Sequence, residues 1–100
     1  RAAYPDIAPL RLEQSPAEAF SHALSEARTS GWEIVAADSA AGRIEATATT
    51  AWFGFKDDVV VRVTAEGSGS RVDVRSVSRV GLSDVGTNAS RIRGYLTRLR

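Results

Sequence analysis

The side chains that could do chemistry gather in two stretches, Trp52 to Asp58 and Arg75 to Arg91. In the second, Ser76, Ser78, Arg79, Ser83, Asp84, Asn88 and Arg91 combine hydroxyls, a carboxylate, an amide and guanidinium groups, with Arg75 at their head. One reading is a polar pocket that holds a ligand. The other is a hydrogen-bonded junction that fixes the entry of a final helix, with Asp84 paired to Arg79 or Arg91. Glycines and short polar residues are ordinary turn chemistry, which favours the junction. In the first stretch Trp52, Phe53 and Phe55 precede Asp57 and Asp58. Loop aromatics form a contact surface or a lipid-facing edge, or they close the open end of a core short of large side chains. Two adjacent carboxylates with no third oxygen donor make a poor cation site. Asp57 and Asp58 are therefore expected to pair with Lys56 or Arg79, and neither metal nor cofactor is expected.

Other catalytic arrangements are missing from the sequence. His22 is the one histidine, and its helical position turns it towards solvent, away from both stretches. A lone exposed imidazole serves neither as a metal site nor as the base of a nucleophile. With no cysteine there is no thiolate site and no disulfide. Glu66-Gly67-Ser68-Gly69 reads as a hairpin loop, and Asn88-Ala89-Ser90, though a glycosylation sequon, is explained by a helix cap at Asn88. Thirteen basic against 12 acidic residues remove the electrostatic case for nucleic acid. No apolar run is long enough to cross a membrane. The absence of Met implies a processed or trimmed piece of a longer chain.

The elements that position these stretches follow from periodicity. One hundred residues allow a single domain, and 16 alanines imply a tightly spaced core. Residues 1–14 read as an extended lead-in that lays Tyr4, Ile7, Leu10 and Leu12 against a domain spanning 15–100. Ser15, Pro16 and Glu18 make a capping box at the start of a helix ending near Ser30, with Ala17, Phe20, Leu24 and Ala27 on its inner face. Four strands follow. Their inner rows are Trp32-Ile34-Ala36, Ile44-Ala46-Ala48-Thr50, Val59-Val61-Val63-Ala65 and Val72-Val74, the last continuing through Ser76 and Ser78. A second helix, capped by Asn88, buries Ile92, Tyr95, Leu96 and Leu99. Of its arginines, Arg91 and Arg98 share a face and Arg93 turns away; such residues usually form a solvated face.

The expected architecture is α+β, ordered α-β-β-β-β-α. It comprises a four-stranded antiparallel meander with both helices on one face, a helix-grip or TBP-like arrangement. A four-residue hairpin loop at 66–69 sets Val63 opposite Val72 and Arg62 opposite Asp73. A six-residue loop would set Arg62 against Arg75, and like charges across a ladder are unfavourable. The meander brings the 51–58 connection, the 79–87 exit and Trp32 to one end. The outer face carries charges of both signs interrupted by Val35, Val60 and Val77, which allows a weak homo-oligomer.

Three segments then resemble a known family: Phe53-Gly54-Phe55-Lys56-Asp57-Asp58-Val59, Val72 to Gly81, and Ser83-Asp84-Val85-Gly86-Thr87-Asn88 with Arg91-Ile92. Their spacing is similar to the signature of the domain-of-unknown-function 1499 family. Tyr4-Pro5-Asp6-Ile7 and Gly31-Trp32 are similar to bacterial members whose soluble domain follows membrane-spanning segments. The resemblance implies a cell-envelope location, membrane-associated and on the periplasmic side, but no activity. Many members begin with a Cys-containing segment that this chain lacks, and often carry a basic or larger residue where Ala89 and Ser90 stand. Three functions remain open: a non-enzymatic module binding an unidentified protein or small molecule, a small enzyme using Asp57, Asp58, Ser78 and Asp84, and a structural oligomerisation adaptor.

Overall fold

The computed structural model describes residues 9–49, 54, 56–78 and 85–100, with the backbone alone at 85–87. Its elements are β1 (Leu10–Leu12), α1 (Pro16–Thr29), β2 (Glu33–Asp38), β3 (Arg43–Thr49), β4 (Lys56–Glu66), β5 (Gly69–Ser78) and α2 (Val85–Leu99). The class is α+β, with one antiparallel five-stranded sheet ordered β1-β5-β4-β3-β2. The sheet thus has five strands rather than the expected four, which departs from the helix-grip or TBP-like arrangement. The extra strand comes from the lead-in. Leu10 pairs with Val72 and Leu12 with Ser70, and Leu10 enters the core. The approach requires Gly69, because a Cβ there would collide with the carbonyl oxygen of Leu12.

Helix α1 starts as its sequence dictates. Ser15 accepts from the Glu18 amide and Glu18 reciprocates on the Ser15 amide, while Pro16 occupies the first turn without loss of a hydrogen bond. Its buried residues are Ala19, Phe20, Ala23 and Ala27; Leu24 is half-buried and Ala17 exposed. The inward face is therefore rotated from the expected one towards Ala19 and Ala23. These small side chains let α2 come close enough for the Tyr95 hydroxyl to donate to the Ala23 carbonyl at 2.6 Å. His22 is half-buried, with Nδ1 3.4 Å from Gln14 Oε1.

Strand β2 departs from strict alternation. Its register against β3 shifts between Ile34 and Ala36, leaving Val35 as an extra residue. One inserted residue flips every later side chain to the other face. Ala36, expected inside, consequently pairs with the outer residue Glu45, and Val35 is 61% exposed. The β4–β5 hairpin has the expected register, Val63 with Val72 and Arg62 with Asp73. Pairing continues to Glu66 with Gly69, so the turn tightens to Gly67-Ser68, with Gly67 at φ 59°. Ala65, near that turn, is exposed rather than inside.

Both helices cover one face, where Phe20, Ile44, Val59, Val61, Ile92 and Tyr95 join a single core. Tyr95 stacks on Trp32 with ring centroids 4.8 Å apart. Arg98 on α2 reaches Glu26 Oε2 and Ser30 Oγ, both at 2.6 Å, so it ties the ends of the two helices together rather than standing free. Among the described residues no helix is long and apolar enough to cross a membrane.

Candidate functional site

The inner rows of the sheet turn polar at one end. In β4 the row Val63-Val61-Val59 continues to Asp57, and in β5 the row Val72-Val74 continues to Ser76 and Ser78. Register places Asp57 opposite Ser78 and Val59 opposite Ser76. On α2 the buried stripe Leu99-Leu96-Tyr95-Ile92 runs back to Arg91 and Asn88, which sit over this polar end. The same phase that buries the valines therefore buries a carboxylate. Asp57 is 2% exposed, Ser76 0% and Asn88 1%.

These residues form one network. Arg91 Nη1 donates to Asp57 Oδ2 at 2.7 Å, to Asn88 Oδ1 at 2.9 Å and to Ser76 Oγ at 3.1 Å. Ser76 in turn donates its hydroxyl proton to Asn88 Oδ1 at 2.5 Å, and Asn88 Nδ2 donates to Ser78 Oγ at 3.2 Å. Two N–H groups serve three acceptors, so at least one bond is shared. The guanidinium cancels the carboxylate charge where water is largely excluded, the side chains being 13% and 3% exposed. Such a pair repays its desolvation only when its remaining lone pairs and protons are satisfied. Ser76 and Asn88 supply further acceptors for the guanidinium protons.

Several expectations are corrected here. Asp57 pairs with Arg91, not with Lys56, whose Nζ instead donates to Thr49 Oγ1 at 3.2 Å. Asp58 projects from the outer face opposite Thr47 and Val77, because adjacent strand residues point to opposite sides. Asp57 and Asp58 cannot share a metal ion or a proton. Arg75 also lies on the outer face, opposite Val60, apart from the network. Asn88 is not a cap, since α2 begins three residues earlier at Val85 and its amide bonds to β5 instead. The acceptor asparagine of the sequon is accordingly buried. Trp52, Phe55, Arg79, Ser83 and Asp84 lie outside the described residues, as does the expected pairing of Asp84.

The network changes the expected cost of losing Asn88. As a cap, Asn88→Ala would cost about 1 kcal/mol. As a buried donor and acceptor, its loss leaves Ser76 and the Arg91 guanidinium short of partners, at roughly 1–3 kcal/mol or more. Urea denaturation of Asn88→Ala against wild type should give a loss at the upper end of that range, and Asn88→Asp should not rescue it.

The parity rule that places Val59 and Val61 inside also places Asp57 inside, and the helical phase of Ile92 and Tyr95 includes Asn88. Those two signals identify the network without any motif. A family model described as protein of unknown function DUF1499 matches residues 1–99. No curated protein matches the chain.

Proposed function

We propose that this chain, which belongs to the DUF1499 family, is a non-enzymatic binding module of a cell-envelope protein. The observation that carries the reading is the buried Asp57–Arg91–Asn88–Ser76 network. It holds the start of β4, the end of β5 and the first turns of α2 in one fixed relation. Connections 50–55 and 79–84 attach to those ends, at Lys56, Ser78 and Val85. Trp52, Phe53 and Phe55 belong to the first connection and Arg79, Ser83 and Asp84 to the second. Loop residues held on a rigid scaffold are where binding concentrates. The partner is a protein or small molecule with an apolar surface for the aromatics. The envelope location follows the family resemblance of the lead-in.

The enzymatic alternative, built on Asp57, Asp58, Ser78 and Asp84, would need its two adjacent carboxylates in one pocket. One is ion-paired inside, the other stands on the opposite face, and that geometry favours binding. The test is native mass spectrometry of the purified chain beside Trp52→Ser/Phe55→Ser. The wild-type chain should retain an additional mass that the variant loses, with melting temperatures that agree. Retention of the same mass by the variant, or a bare chain in both spectra, contradicts the reading.

A further inference from the structure

The face of the sheet opposite the helices carries an ordered charge pattern centred on β4. In one row, Glu45 on β3 and Arg75 on β5 flank Val60. In the next outward-facing row, Arg43 on β3 and Asp73 on β5 flank Arg62, with the signs reversed. A two-fold axis running along β4, between two stacked sheets, lays β3 of one copy over β5 of the other. Glu45 then faces Arg75 of the second copy, Arg43 faces its Asp73, and Val60 meets its own image. An axis across the strands sets Glu45 against Glu45 and Arg75 against Arg75 where it passes through the first row, and seats Val60 on Arg62 of the second copy where it passes between the rows. Of these placements, the axis along β4 is the one that matches the flanking charges and keeps Val60 on an apolar partner.

We propose that this outer face is the interface of an isologous homodimer, paired about an axis along β4. The surface is chemically ready for it. Val60 and Val77 are half-buried, and Val35, 61% exposed, adds apolar area at the β2 margin. The in-chain pairs Arg43–Glu45 at 2.8 Å and Arg71–Asp73 at 3.1 Å are both substantially exposed. Pairs of that kind contribute little, so exchanging them for partners across the interface costs little. Asp58 and Arg62 lie on the axis strand, to either side of Val60. The rotation of about 30° between aligned packed sheets offsets each from its own image by only about 3–4 Å, so these two like-charge contacts oppose the four opposite-charge pairs that flank them. The proposal uses none of the residues of the Asp57–Arg91–Asn88–Ser76 network.

Charge exchange tests it. Light scattering or native mass spectrometry over a concentration series should show a dimer of the wild-type chain. Glu45→Arg and Arg75→Glu should each raise the dissociation constant by about tenfold or more. Combining them should restore it, since each reversed charge again meets its opposite across the axis. Glu45 and Arg75 sit two strands apart within one chain, so rescue reports pairing between chains. Val60→Asp should abolish the dimer, and circular dichroism should show all four variants folded. A wild-type chain still monomeric at about 1 mM, single reversals without effect, or a double reversal that fails to rescue would each overturn the proposal.

Discussion

Tyr95→Ala should remove about 3–5 kcal/mol of stability, close to the whole reserve of many domains this size. Tyr95 is fully buried, stacks on Trp32 and bonds to the main chain of α1 through its hydroxyl. Truncation therefore leaves a cavity between the helices and the sheet and strands the Ala23 carbonyl. At about 4–8 °C per kcal/mol, a thermal melt should shift by more than 10 °C, or show no folded baseline. Tyr95→Phe separates the two effects: it keeps the ring and loses the hydrogen bond, at roughly 1–3 kcal/mol. It also carries a pH signature. Burial, with the Glu26 carboxylate as a second cause, pushes the phenol above its ordinary value, against a smaller opposing pull from Arg98. The folded chain keeps this proton where the unfolded chain loses it, from about pH 10 upward. The stability contribution is complete below that pH and falls as pH rises. The fall should be shallower in Tyr95→Phe.

The second large effect is expected at the sheet end. Arg91→Ala strands Asp57 as a buried carboxylate and removes a donor from Ser76 and Asn88. Breaking a buried ion pair from one side costs about 3–5 kcal/mol. Removing both charges is a different experiment. Asp57→Leu combined with Arg91→Met should recover most of the loss, because apolar replacement of a whole buried pair is often neutral or stabilising. Urea midpoints of the three proteins decide it. Full recovery would mean that the pair specifies the position of α2 more than it stabilises the domain.

These expectations differ in how far the residues alone announce them. Ser15, Pro16 and Glu18 state the start of α1, because capping is local chemistry. Arg62 and Asp73 state the β4–β5 register, because the alternative opposes two arginines. The bulge at Val35 has no such signature; a single inserted residue leaves the composition of β2 unchanged and flips Ala36 outward. Strand β1 depends on the missing side chain of Gly69, a distant partner invisible in Leu10-Arg11-Leu12 itself. The inward face of α1 was decided by Tyr95 reaching for Ala23, a tertiary contact that outweighs the larger Leu24. At the candidate site, Ser76 and Ser78 were legible as inward hydroxyls. Asp57 obeys the same parity but reads as a loop acid because it follows an aromatic loop. Asn88 suits a cap so well by residue type that its place on the buried stripe of α2 is easily passed over.

The polar end of the sheet is a buried structural junction that ties β4 and β5 to α2. A double-mutant cycle on Asp57 and Arg91, read by urea denaturation of the two single alanine variants and their combination, tests it most directly. The account predicts a double loss smaller than the sum of the single losses, by about 0.5–3 kcal/mol. Small, additive losses within about 0.5 kcal/mol each, as at ordinary surface positions, would contradict it and leave Asp57 free for chemistry.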